Sequence, residues 1–357
     1  MRVAVDARHI GRGRGVARYL SAMLGELAAR HPDTDWIAVG DAGAGHLLPD
    51  GVRAVGAPRL GRAANATAAI TGRPRLDRAA GGADVAWIPA PAPVAWSPEV
   101  PAVLTLHDLS WEQRPSDFTA YERAWHAVAR PRRLAARASR VACVSEATRA
   151  AMLAAGWPVE PRRAVVVPEA PMPGSTPAPE AGPGRYLLYV GALEPRKGID
   201  TLAAGLLEAR SLGLELPLVV AGDGRMRGLL APLPGVSVVT GAGDRELAGL
   251  YAGATALVLP SMLEGFGLPP VEAAAFGVPT VASDLPALRE SLGRAFLPVP
   301  AGDAKALGQA IFSIATDLAL RNRIGRQARE RAGRLSWAAS ADRLFALLAE
   351  ACSEGSR

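Results

Sequence analysis

Five short apolar runs punctuate residues 185–284: RYLLYVGAL (185–193), LPLVVAGDG (216–224), GVSVVTGAG (235–243), ATALVLPS (254–261) and GVPTVASD (277–284). Each is apolar almost throughout rather than alternating. That is the pattern of strands covered on both faces, and it requires a parallel sheet with helices on either side. The same rhythm fills the first half, in RVAVDA (2–7), DWIAVG (35–40), ADVAWIP (83–89), AVLTLHD (102–108), RVACVS (140–145) and AVVVP (164–168), with helical periodicity over 16–30 and 119–138. Between the halves, PEAPMPGSTPAPEAGPG (168–184) is too dense in Pro and Gly for a regular element.

The 357 residues therefore read as two doubly wound α/β domains: an N-terminal one over 1–168, a linker over 169–184 and a C-terminal one over 185–335. A final amphipathic helix over 336–352 follows, and its pattern does not say which domain it packs on. Open parallel sheets bind ligands beyond the carboxyl ends of their strands, so the two domains are expected to face a cleft.

Composition narrows the partners. With 49% hydrophobic and 21% charged residues, and no apolar run near the roughly 20 residues of a membrane span, a soluble protein is expected. The start, MRVAVDARHIG, lacks the apolar core of a secretion signal and suggests a cytoplasmic setting. The only cysteines, Cys143 and Cys352, have no metal-ligand spacing, which argues against a disulfide framework or structural zinc. A net charge of +6, carried by arginine except for Lys197 and Lys305, favours an anionic partner (phosphates, nucleic acid or an acidic membrane surface) or else reflects coding bias in an Arg- and Ala-heavy composition. Nucleic acid is disfavoured, because aromatics are only 5% and none interleaves with the Arg clusters.

The stretch PSMLEGFGLPPVEAAAFGVP (260–279) carries the strongest chemical signal. It follows a strand and places Glu264 before Gly265-Phe266-Gly267, then Leu268, two prolines and Glu272. The glycines let backbone approach a ligand closely. Pro269 or Pro270 suits the first helical position, which puts Glu272 in the first turn. The free N–H groups of that turn, with the helix dipole, favour a diphosphate. Glu272 has the chemistry to accept two hydrogen bonds from adjacent ribose hydroxyls, and Glu264 faces what lies beyond the phosphates.

This region resembles the signature of the retaining nucleotide-sugar transferases of glycosyltransferase family 4, with its two carboxylates Glu264 and Glu272 separated by seven residues. The resemblance extends to YVGALEPRKGIDTL (189–202), LTLHDLSWEQRP (104–115), VACVSEATRAAM (141–152) and the glycine-rich GRGRGVARYL (11–20). Bacterial mannosyltransferase-like members are the nearest in character. The resemblance implies the GT-B fold, with the last helix returning to the first domain.

It also implies roles. Gly191 ends a strand before Arg196 and Lys197, which would hold the donor diphosphate and stabilise it as it leaves, the Arg bidentate and the Lys as a point charge. Gly243 lies in the loop that reads the nucleobase, and Asp244 behind it reads as a helix cap. Gly15 would admit the donor phosphates, although Val16-Ala17 stands where many relatives have Ile-Gly. His107 would hydrogen-bond the donor sugar. Glu264, Gly265, Phe266, Gly267, Leu268 and Glu272 complete the donor set. Ser145 and His126 carry no such implication, Ser145 being a helix cap.

The implied activity is retaining transfer of a hexose from a nucleotide diphosphate sugar, GDP-mannose favoured over a UDP-sugar, to a glycan, lipid-linked or small-molecule acceptor. The donor is a substrate, and no cofactor or metal is implied; the lone Asp33-Thr34-Asp35 reads as a turn. A nucleotide-sugar epimerase or hydrolase of the same plan, or a non-catalytic sugar-nucleotide-binding module, are the alternatives. Two Arg groups, Arg59, Arg62, Arg73, Arg75 and Arg78, and Arg130, Arg132, Arg133, Arg137 and Arg140, suit peripheral contact with an anionic membrane, at about 1 kcal/mol per basic residue, or simply a solvated face. Sedimentation with acidic liposomes at physiological salt separates the two: the membrane reading expects the protein in the pellet, and protein left in the supernatant removes that reading.

Overall fold

In a computed structural model of the chain, residues 1–11, 15–57, 71–172 and 186–355 are described. The chain divides into two compact units, Met1–Glu169 together with Ser336–Arg357, and Ala170–Leu335.

The first unit contains a seven-stranded parallel sheet: β1 Arg2–Asp6, β2 Asp35–Asp41, β3 Val52–Ala57, β4 Val85–Ile88, β5 Ala102–Leu106, β6 Arg140–Cys143 and β7 Ala164–Val166, in the order β3-β2-β1-β4-β5-β6-β7. Burial follows position: β4 and β5 are buried along their whole length, while β7 at the edge is only partly so. β3 lies on the opposite edge, and the sequence reading passed it over. Its VRAVGA carries an exposed Arg and a glycine and so lacks the apolar continuity of an inner strand.

The helical stretch expected over 119–138 is two helices, Ala120–Ala129 and Pro131–Arg137. Arg130 between them takes the left-handed conformation, φ 50°. Proline at 131 disfavours helical geometry in the residue before it and serves as the first residue of the next helix. The last helix, Trp337–Gly355, packs within this unit on helix Gly15–Arg30 and on β4, β5 and β6. Its buried face includes Trp337, Leu344, Leu347 and Leu348. Trp337 meets Tyr19 edge-on at 5.9 Å. Arg30 pairs with Asp342 at 2.5 Å and Arg140 with Glu354 at 2.6 Å.

The second unit holds six parallel strands: β8 Tyr186–Val190, β9 Leu218–Ala221, β10 Val236–Val239, β11 Ala254–Leu259, β12 Thr280–Ser283 and β13 Leu297–Val299, in the order β10-β9-β8-β11-β12-β13. The central β11 is buried at every residue. β13, missed in the sequence, contains Pro298 and sits at the edge. There, a missing N–H costs no ladder bond.

In this sheet the strand order reverses between β8 and β11, the two strands whose carboxyl ends carry the Arg-Lys and Glu-Gly-Phe-Gly segments. Those ends are locked together. Met262 N donates to Arg196 O at 2.9 Å. Gly198, φ 65°, heads helix Ile199–Ser211 so close to β11 that a Cβ there would fall 2.0 Å from the Pro260 carbonyl oxygen. Gly198→Ala is therefore expected to destabilise the protein by about 2 kcal/mol or more, from backbone strain and overpacking together, measured as a lowered urea midpoint. An unchanged midpoint would show that the two loop segments separate easily.

Candidate functional site

The second unit places Gly191, Arg196 and Lys197 beyond β8, Glu264 to Leu268 beyond β11, and Gly243 beyond β10. After β8, the Tyr189 hydroxyl donates to Ala192 O at 2.9 Å and Gly191 N to Ala221 O at 3.0 Å, shaping the loop into the single turn Pro195–Lys197. Lys197 Nζ then reaches Glu264 Oε1 at 2.6 Å. The same carboxylate oxygen accepts from Ser261 Oγ at 2.6 Å. With side-chain exposures of 15% for Lys197 and 8% for Glu264, the pair is shielded from most solvent competition. Arg196 belongs to the same turn, partly exposed.

Helix Leu268–Ala275 starts one residue earlier than the proline rule suggests, with Gly267 as its cap at φ 90°. A Cβ on Gly267 would lie 2.3 Å from Leu288 Cδ2, so glycine is required for backbone torsion and for space alike. Two corrections to the anion-site reading follow. Of the four residues in the first turn, Pro269 and Pro270 have no N–H, and Val271 donates to Gly267 O at 3.2 Å. The helix end thus brings its dipole but few donors, and the cations described beside it are Arg196 and Lys197 of the neighbouring turn. Glu272 is the fifth helical residue, not a first-turn one.

Glu272 is only 2% exposed, and its Oε2 accepts from the Tyr251 hydroxyl at 2.7 Å. Phe266 is buried at 4%, so its ring serves the core, and only its backbone lies with the loop. Gly265 is buried and Leu268 half-buried. Gly243 caps helix Asp244–Ala252, which makes Asp244 the first helical residue rather than the cap; a Cβ on Gly243 would meet nothing within 4 Å among the described residues.

In the first unit, His107 follows β5. Its Nδ1 lies 3.1 Å from Glu169 Oε1 and its Nε2 2.9 Å from Pro89 O. Both partners present oxygens, and a ring that donates to both at once is an imidazolium, the form that this geometry favours. Burial, the largest single influence, pulls its pKa down, but the hydrogen bond and charge of Glu169, the Pro89 carbonyl and the charge of Asp108 outweigh it and leave the pKa above the ordinary 6.5. Tyr19 meets the ring edge-on at 4.7 Å. With both nitrogens engaged inside the unit, the role of hydrogen-bonding a sugar requires one of these bonds to be exchanged. Gly15 opens helix Gly15–Arg30 with nothing within 4 Å of an added Cβ among the described residues, so nothing described in this unit accounts for a glycine there. Ser145 caps helix Glu146–Ala154 by accepting from Thr148 N at 3.0 Å.

The Arg groups are partly committed to the protein's own partners. Arg78 pairs with Glu99 at 2.9 Å, Arg132 with Glu112, and Arg140 with Glu350 and Glu354. Arg137 lies over the Trp96 ring at 4.3 Å. Arg59 and Arg62 lie outside the described residues. Sequence reasoning missed three residues at these centres: Ser261, Tyr251 and Glu169. Ser261 stands three positions before Glu264 in the motif and was within reach of a local argument. Tyr251 and Glu169 are 21 and 62 positions from their partners and give no local signal.

Residues 13–170 match the family described as Glycosyltransferase Family 4, and residues 184–317 match that described as Glycosyl transferases group 1. The chain belongs to glycosyltransferase family 4. It is 33% identical over 171 residues to O-antigen chain mannosyltransferase B of Escherichia coli, covering 43% of this chain and 42% of that protein. It is 34% identical over 187 residues to the glycogen synthase of Mycobacterium tuberculosis, covering 50% of this chain and 41% of that protein. The matched regions thus span well under half the length of these curated relatives. Among solved structures, sucrose-phosphate synthase from Thermosynechococcus elongatus superposes with a TM-score of 0.77 over 98% of both chains at 20% identity. The fold is GT-B, built from two Rossmann-like parallel sheets.

The His107 geometry sets a pH dependence. Because the folded pKa is raised, the stabilisation from charged His107 is fully present below the unfolded value of about 6.5 and is lost as pH rises through the folded value. Urea unfolding is expected to show His107→Gln losing more stability, relative to the wild type, at about pH 5.5 than at about pH 9. An equal loss at both pH values would mean that the ring is neutral.

Proposed function

We propose that this protein is a retaining glycosyltransferase that moves a hexose from a nucleotide diphosphate sugar to an acceptor hydroxyl. The observation that carries the reading is the Lys197–Glu264–Ser261 cluster at the strand-order reversal of the second sheet. That is where an open parallel sheet takes its ligand. Mannose is the favoured sugar, because relatives in different organisms are named as mannosyltransferases; the glycogen synthase likeness keeps glucose as the second choice.

Transfer breaks the bond between the sugar C1 and the diphosphate oxygen and forms one between C1 and the acceptor oxygen; the acceptor proton passes to the departing phosphate. Charge develops as anion on the diphosphate and as cation on the sugar, so preorganised charge is the main catalytic means. Lys197 and Arg196 serve the diphosphate. Glu264, held at one oxygen by Ser261, lies within the reach of Lys197 and stabilises the cationic sugar. Glu272 takes the ribose hydroxyls, and the backbone at Gly243 lies beside the base. With the leaving phosphate as proton acceptor, the step needs neither a protein base nor a metal. The acceptor is a glycan, a lipid-linked sugar or a small molecule held by the first unit, and the exposed arginines there suit an anionic acceptor or membrane surface.

Thermal-shift measurements with GDP, UDP and ADP test the reading first. One of them at about a hundredfold over its Kd is expected to stabilise the protein by about 2.7 kcal/mol; a protein that binds none is not this enzyme. With the sugar of the binding nucleotide as donor, Lys197→Ala is expected to lower turnover by about a hundredfold or more with the circular dichroism spectrum retained, and EDTA to leave the rate unchanged. Transfer abolished by EDTA would sink the metal-independent step.

A further inference from the structure

Tyr251 is a buried tyrosine that the scheme above leaves without a task. It lies in the last turn of helix Asp244–Ala252, is 0% exposed, and its ring stacks on Phe276 at 5.7 Å and 16° within a cluster that includes Leu188, Leu247, Leu257 and Ala273. The phenol is therefore held by β8, β11 and helix Leu268–Ala275 at once, and its rotamer freedom is already spent in the core. From that fixed mount, the hydroxyl donates to Glu272 Oε2 at 2.7 Å. A carboxyl group as buried as Glu272 requires hydrogen-bond partners, and the Tyr251 hydroxyl supplies one. The bond also sets the plane of the carboxylate, and so decides where its acceptor lone pairs can point.

We propose that Tyr251 is a positioning residue for nucleotide binding, orienting Glu272 so that the carboxylate accepts from the paired ribose hydroxyls of the donor. This rests on the donor reading above. It adds a determinant drawn from outside the two-carboxylate motif: the helix that follows the Gly243 loop fixes the sugar side of the nucleotide through its far end. Helix Asp244–Ala252 thereby serves the nucleotide at both termini, by backbone at Gly243 and by the Tyr251–Glu272 bond at the other.

The discriminating experiment compares ribose and deoxyribose ligands. GDP, UDP and ADP are titrated calorimetrically into the full chain, and the 2′,3′-dideoxy form of whichever binds is titrated in parallel into the wild type, Tyr251→Phe, Glu272→Gln and the double variant. Removing the hydroxyl while keeping the ring is expected to weaken the ribose nucleotide about five-fold, roughly 1 kcal/mol, and to leave the dideoxy form within about two-fold of the wild type. In the Glu272→Gln background, Tyr251→Phe is expected to add nothing to the ribose preference, the signature of two residues acting as one unit.

A Tyr251→Phe variant that weakens both ligands equally has only a structural effect and overturns the proposal while leaving the donor reading intact. Unchanged affinity for the ribose nucleotide overturns it likewise. Should Tyr251→Phe fail to fold, Glu272→Gln alone decides: an undiminished preference for ribose over dideoxyribose means that there is no carboxylate contact for Tyr251 to orient. A wild-type protein that binds none of the three nucleotides removes the donor reading and this inference together.

Discussion

An ammonium and a carboxylate, Lys197 and Glu264, meet at 2.6 Å on the adjoining ends of β8 and β11. Removing one partner leaves the other largely desolvated without its counter-charge, which is costly. The two loops must therefore stay in register with each other. The backbone enforces that register independently, through Met262 N on Arg196 O and through the glycine at 198, which allows its helix to start against the Pro260 carbonyl. Hydroxyl donors complete the pattern: Ser261 holds one oxygen of Glu264 and Tyr251 one of Glu272. Both carboxylates of the motif are thus pinned from the protein side, a preorganisation that the proposed transfer would use.

His107 presents a different economy of charge. Its ring spans Pro89 and Glu169, tying the loop after β4 and the segment beyond β7 to the end of β5. The two oxygens facing the ring, with the charge of Glu169, raise its pKa in spite of burial. The same two bonds that stabilise this unit occupy the nitrogens that family resemblance assigns to a sugar, so stability and substrate contact draw on the same atoms.

The inner strands were legible because burial on both faces writes itself as unbroken apolar sequence. RYLLYV, ATALVL and AVLTL are cases in point. The edge strands at 52–57 and 297–299 were not legible, since an edge tolerates Arg, Gly and Pro and so resembles loop. The division of 119–138 at Arg130 was recoverable in principle from Pro131, but helical periodicity ran through it. Within the site, Lys197, Arg196 and Glu264 could be named from a strand-end position and a recognised spacing, and the structure brings Lys197 and Glu264 into contact. The reading of the Leu268 helix end as a nest of free N–H groups failed on chemistry already present in the sequence, because two of its first residues are proline.

What the sequence alone determined is the repeated strand-and-helix order, the family, and the chemical types gathered around residues 191–197 and 264–272. These follow from local pattern, because apolar periodicity and motif spacing are carried by neighbouring residues. Tertiary structure alone decided which atoms those residues face. Glu272 turned to a tyrosine 21 positions away, His107 to a glutamate 62 positions away, and the last helix to the sheet that begins the chain. Such pairings arise when the strand order of a parallel sheet reverses and when helices close over it, and a one-dimensional pattern records neither event.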